Sequence, residues 1–158
     1  MHPRSKEFVA EVRERYGFEP DIHQFPEGTK TAADAAEAVG CDVSQIASSI
    51  VCSTDEGLVV VVTSGAHRVD MDRVADILGV ETATMGDPDE IKETLGWGIG
   101  GVPPFAHETE VPVLIDETLY EHDEVWAAGG TPAAVFPIAP ETLETHSNGR
   151  RARIHEEQ

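Results

Sequence analysis

Cysteine and lysine are scarce in this 158-residue chain, and whole classes of chemistry go with them. The two cysteines, Cys41 and Cys52, fit neither C-x-x-C nor a zinc spacing, so a disulfide framework is excluded and buried reduced thiols are expected. Seven histidines are present, yet none falls at H-E-x-x-H spacing, and His107-Glu108 lacks its second histidine. No metal and no cofactor is therefore expected. Neither a G-x-S-x-G elbow nor a Walker loop occurs. Ser48, Ser49 and Ser64 carry hydroxyls, but a nucleophilic serine needs a positioned base, and each is read as structural. No run approaches a membrane span, and the opening MHPRSKEF has charge without an apolar segment, which points to the cytoplasm.

Only Lys6, Lys30 and Lys92 are lysines, and 30 acidic residues against 11 basic ones give a formal net charge of −19 at pH 7. Such an excess opposes non-specific attraction to a phosphate backbone. The acid-rich, lysine-poor balance resembles that of proteins from halophiles. In molar salt the Debye length shrinks to about 3 Å, so long-range repulsion from a polyanion would largely vanish. The acidity is read as a property of the solvent rather than of the substrate.

Length and a 40% hydrophobic content suit one domain with a sizeable core, expected over residues 1–148 with a polar, mobile tail at 149–158. Ser5 is placed as the cap of a first helix through Phe8, Val12 and Tyr16, closed by Gly17. FEPDIHQF (18–25) reads as an edge strand. Thr31 caps the alanine-rich helix ending at Gly40, Asp70 caps MDRVADIL, and Asp87-Pro88 opens PDEIKETL. Residues 46–53 and 58–63 flank TDEG as a hairpin, its second arm apolar enough to be central in a sheet. VETAT and VPVLID add strands, 124–129 and 131–138 form a second hairpin, and Pro140 begins a last helix. The sum is an α+β domain, a mixed or mostly antiparallel sheet of six or seven strands flanked by short helices.

One stretch stands apart. GWGIGGVPPF (96–105) holds four glycines and two adjacent prolines, which exclude a helix or central strand. Its glycines let peptide N–H groups approach a ligand, while Pro103 and Pro104 stiffen the exit. A helix precedes it and Pro-Pro follows, so the embedded G-x-G-x-x-G is no dinucleotide site. Asp116, at a strand end, suits either ligand positioning or a turn.

The ordered set TAADAAEAVG, QIASSIV, SGAHRVD, GGVPPF, VPVLIDETL and DEVWAAGG resembles the YbaK/ProX family, which includes the editing insertion domain of bacterial prolyl-tRNA synthetases. The likeness spans about residues 29–145. It implies a deacylase that hydrolyses mischarged aminoacyl-tRNA in trans, typically proline tRNA bearing a small wrong amino acid. The implied partners are the aminoacyl 3′ end of tRNA and a synthetase.

The resemblance also assigns residues. The family's G-x-x-x-P loop falls on Gly100 and Pro104, with Gly101, Val102, Pro103 and Phe105 between and after them. Thr31 opens the alanine-rich helix, His67, Arg68 and Asp70 form the basic-to-acidic turn, Asp116 ends a strand, and Gly129 sits in the late hairpin. One position departs. Where the family commonly has Q-I-V-K-S-L, Ser48 stands in place of a lysine important to deacylation, which leaves two conceivable rescues: Lys30 or Arg68 reaching the site from a neighbouring element, or the substrate's own thiol or amine. The alternative implied by Ser48 is a weakened or inactive module that binds aminoacyl-tRNA or a synthetase.

Overall fold

The computed structural model describes residues 2–25 and 31–156. Helix α1 (Pro3–Tyr16) starts from a His2 cap whose Nδ1 accepts the Arg4 N–H at 3.0 Å, and Gly17 closes it. Ser5, expected as that cap, lies inside the helix, fully buried, donating its hydroxyl to the Gly129 carbonyl at 3.0 Å. Proline at the first helical position moves the start three residues earlier than the serine suggested. The edge strand β1 (His23–Gln24) follows.

Local capping then sets each helix. Thr31 accepts from the Asp34 N–H ahead of α2 (Ala32–Val39), Asp70 from Arg73 N–H ahead of α3 (Met71–Leu78), and Asp87 from Asp89 and Glu90 N–H ahead of α4 (Pro88–Leu95). The hairpin is β2 (Ile46–Thr54) and β3 (Gly57–Ser64), and β4 (Ala83–Met85) folds against the far end of β2. The remaining elements are β5 (Val113–Asp116), β6 (Val125–Ala128), β7 (Ala134–Ile138), α5 (Pro140–Ser147) and β8 (Arg150–Ala152).

These strands form one mixed eight-stranded sheet, β1-β7-β6-β2-β3-β5-β8, with β4 also on β2. Pairs β2–β6, β3–β5 and β5–β8 are parallel; the other four are antiparallel. Strand β3 is central, and its alternation divides the core. Val60 and Val62 pack with Phe8, Leu95, Phe105 and Leu143 on the face of α1, α4 and α5. Val59 and Val61 pack with Val74, Leu114 and Ile154 on the face of α3. Burying each such valine is worth about 1.5–3 kcal/mol, so both faces hold the strand.

Part of the expected mobile tail, residues 150–154, is built into the fold. Arg150–Ala152 pair in parallel with Leu114–Asp116, and Ile154 is fully buried. A single isoleucine among polar residues gives no readable period, but the free edge of β5 supplies the partner. Among the described residues, no helix is long and apolar enough to cross a membrane.

Candidate active site

A break in the sheet creates the site. Strand β6 pairs with β2 only at Ile46 and Ala47, and β4 only from Cys52 to Thr54. Between them the β2 edge has no neighbouring strand among the described residues. The Val51 carbonyl on that edge accepts the Gly86 N–H at 2.9 Å, and strand alternation turns the peptide groups of Ser49 the same way. A cleft of about 310 Å³ opens over this gap. Its floor is Ile46–Val51, Thr31, Ala32 and Ala35 of the α2 end form one wall, and Gly100 and Val102 lie across from them beside Pro132.

The two serines of the floor differ. Ser49 points to the same face as Ala47 and Val51, and its Oγ is buried without a hydrogen-bond partner among the described residues. Ser48 points to the other face with Ile46 and Ile50 and is half-buried. A buried hydroxyl left unpaired costs about 1–3 kcal/mol, which a bound polar group would recover. Among the described residues lining the cleft, none has an ionisable side chain. Lys30, next in the chain to Thr31, lies outside the described residues.

The glycine-proline loop is held from behind. Gly101 donates its N–H to the Gly98 carbonyl at 3.0 Å, so that donor is spent inside the turn, whereas the N–H groups of the cleft-lining Ile99, Gly100 and Val102 have no backbone partner among the described residues. Gly100 has φ 87°, a conformation glycine adopts without strain. Buried Pro103 offers its carbonyl to His107 Nε2 at 2.7 Å. Burial keeps the His107 imidazole below its ordinary pKa, aided by nearby Arg15 and opposed by the Pro103 bond. Phe105 is a core residue against Phe8, Tyr16 and Phe136.

Thr31, Ser48, Gly100 and Val102 thus meet at one cleft, and the other expected residues among those described stand elsewhere. Gly101, Pro103, Pro104 and Phe105 are buried behind the loop, where they shape it rather than line the cleft. Gly129 donates its N–H to Ala134 and accepts from Ser5, a hairpin role. Asp70 caps α3, and exposed Arg68 accepts the Glu156 N–H on its carbonyl. Neither lines the cleft, so Arg68 does not replace the missing lysine there. Ser49, Met85, Ile99 and Pro132 line it unforeseen, because the sequence shows alternation along β2 but not the gap at its edge.

Asp116 belongs to a second cluster at the end of β5. Its carboxylate is fully buried and accepts from Thr118 N–H at 3.0 Å, Thr118 Oγ1 at 2.8 Å and Ser64 N–H at 3.1 Å. Burial alone would raise its pKa, but these donors and His67 hold it below the usual carboxylate value. His67 Nδ1 lies 3.1 Å from Oδ2, and the His67 ring stacks on His155 at 4.1 Å.

The sequence matches the profile of the aminoacyl-tRNA editing domain over residues 26–145. The chain belongs to this family. A solved structure described provisionally as a trans-editing enzyme for prolyl tRNA synthetase superposes with a TM-score of 0.94 at 34% identity, over 99% of each chain. EbsC of Enterococcus faecalis, named provisionally as a Cys-tRNA(Pro)/Cys-tRNA(Cys) deacylase, is 24% identical over 78% of this chain and 76% of its own. A proline–tRNA ligase of Bacillus pumilus is 29% identical over 57% of this chain and 16% of the ligase. The editing domain thus supplies the α+β fold expected from the sequence, and the family includes tRNA deacylases.

Proposed function

We propose that this protein hydrolyses the ester of a mischarged aminoacyl-tRNA, with proline tRNA carrying a small wrong amino acid as the substrate. The observation that carries this reading is the uncharged cleft whose floor holds the unpartnered Ser49 hydroxyl and whose opposite wall is the Gly100–Val102 loop. In this reading the N–H groups of Gly100 and Val102 polarise the ester carbonyl, a role worth about 2.7–4 kcal/mol per donor in acyl-transfer enzymes. Ser49 holds a polar group of the aminoacyl moiety, and Ala32, Ala35 and Ile46 limit its size. Water, or a group of the substrate itself, is the nucleophile, since the described lining offers no base.

Purified protein incubated with alanyl- and cysteinyl-tRNA(Pro) at molar salt is expected to release the amino acid. Release at the buffer rate for every amino acid tried overturns the reading. One observation favours a second reading, a module that binds the aminoacyl end or a synthetase without hydrolysing it: Ser48 brings a neutral hydroxyl where a deacylating relative would bring a cation.

A further inference from the structure

The cluster at the end of β5 has no part in that cleft, since neither His67, Asp116 nor His155 lines it. We propose that these three residues form a site for a divalent transition-metal ion of the zinc type, one that fastens the C-terminal segment to the sheet. Each offers one ligand atom, and the three atoms lie within 4.8 Å of one another. Two nitrogens and one carboxylate oxygen suit zinc, which leaves a fourth position for water.

The distances are close to what an ion needs. Ligands about 2.0–2.2 Å from a tetrahedral ion stand roughly 3.3 Å apart. His67 Nδ1 is 3.1 Å from Asp116 Oδ2 and His155 Nδ1 is 3.7 Å from the other oxygen, Oδ1, so each imidazole faces its own carboxylate oxygen, and with one ligand atom taken from each residue the three atoms lie within 4.8 Å of one another. The carboxylate is already aimed by the Thr118 and Ser64 donors, the outer support that metal-binding carboxylates use. His155 Nδ1 is buried and has no hydrogen-bond partner, although its neighbour His67 has two oxygens in reach. That orphaned nitrogen is the second observation pointing to a ligand.

Seating the ion asks for one adjustment. The imidazoles are stacked at 15°, so their Nδ1 lone pairs run side by side instead of converging. Rotation of the His155 ring, which no hydrogen bond restrains at Nδ1, turns it toward the ion. The ion takes the place of the proton between His67 Nδ1 and Asp116. Both imidazole side chains keep an exposed margin, 20% and 15%, through which the ion and its water reach solvent.

The backbone gives the ion its consequence. His155 bridges to Val69, Asp70 donates to the Ile154 carbonyl, and Glu156 donates to that of Arg68. An ion on His67, Asp116 and His155 therefore ties three chain segments that are far apart in sequence.

The test uses the full chain, stripped with chelator and titrated with Zn²⁺ by calorimetry and thermal melting, and with Co²⁺ by absorption. One equivalent is expected to bind, with a rise in Tm of about 5–10 °C at a hundredfold excess over Kd. Co²⁺ is expected to show the intense visible bands of a four-coordinate ion. His155→Ala, placed on the outer segment, is expected to fold and to lose both the shift and the bands, as is His67→Ala. Absence of saturable binding overturns the proposal. So does a weak six-coordinate Co²⁺ spectrum, or a Tm shift that survives in His155→Ala. If either variant fails to fold, the Co²⁺ spectrum of the unaltered protein decides.

Discussion

Gly101 lies so close to Thr131 that a Cβ on it would stand 2.7 Å from the Thr131 Cα and 2.8 Å from its nitrogen. Both atoms are backbone, so no side chain can swing away to make room. The glycine-proline loop is thereby pressed onto the turn between β6 and β7, next to Gly100 and Pro132 of the cleft lining. At Gly100 the nearest atom to an added Cβ is the Pro132 side chain at 3.1 Å, a softer neighbour.

Gly101→Ala is therefore expected to push the loop off Thr131, lowering stability by about 2–3 kcal/mol and Tm by about 5–10 °C. Deacylation should fall with it, because the Gly100 and Val102 N–H groups move together. A thermal melt of the variant matching that of the parent would show that the loop is not so held.

Ser49→Ala separates function from stability. The hydroxyl has no partner among the described residues, so its loss removes an unsatisfied group and is expected to leave the melting temperature unchanged or slightly higher. If the substrate supplies the missing partner, the same change costs one hydrogen bond, about 1–1.5 kcal/mol, or roughly a tenfold drop in kcat/KM. Unchanged kinetics would remove Ser49 from the site. A large loss of stability would instead mean that its Oγ is satisfied within the fold.

His107 gives the loop a pH dependence. Burial, with Arg15 nearby, keeps its folded-state pKa below the ordinary 6.5, so the folded protein holds it neutral, with Nε2–H donating to Pro103. The unfolded chain takes up the proton more readily. Stability from this group is thus fully present above about pH 6.5 and is lost as the pH falls toward the folded pKa, by at most about 1.4 kcal/mol per unit. His146 shifts in the same direction through burial. Melts between pH 7.5 and 5 should show the decline, and His107→Gln, which keeps a donor for Pro103 without the titration, should flatten part of it. An equal slope in that variant would assign the decline to other groups.

How much the sequence disclosed depended on whether the deciding partner lay nearby in the chain. The caps Thr31, Asp70 and Asp87 act across two or three residues, and all three stand where the pattern put them. The apolar run of β3 announced a central strand for the same reason. Ser5 misled because its partner, Gly129, is 124 positions away. Strand β8 and buried Ile154 were hidden because the edge that orders them belongs to β5. Within the loop, composition disclosed a shaped peptide surface, but which N–H groups it spends on itself appears only in the Gly101–Gly98 bond. Ser49 was set aside with the other serines, since an unpartnered hydroxyl is a property of its surroundings.

A substitution at position 48 separates the hydrolysis reading from the binding one. Ser48 is half-buried on the floor of a cleft with no ionisable side chain among its described lining residues, so Ser48→Lys introduces a cation at the gap edge with room to reach solvent. Stability should move by no more than about 0.5 kcal/mol, as is usual for partly exposed positions. If Gly100 and Val102 already supply the transition-state stabilisation, the parent hydrolyses mischarged tRNA and the lysine adds to it by tenfold or less. If instead the serine marks a module that only binds, the parent is inert and the variant gains hydrolysis of a hundredfold or more over the blank, the scale of one charge-assisted donor worth about 2.7–4 kcal/mol. Single-turnover rates for both proteins, measured at saturating protein so that affinity drops out, separate the two. Inertness in both, with tRNA retained on a filter, would remove the deacylase reading and leave the binding one.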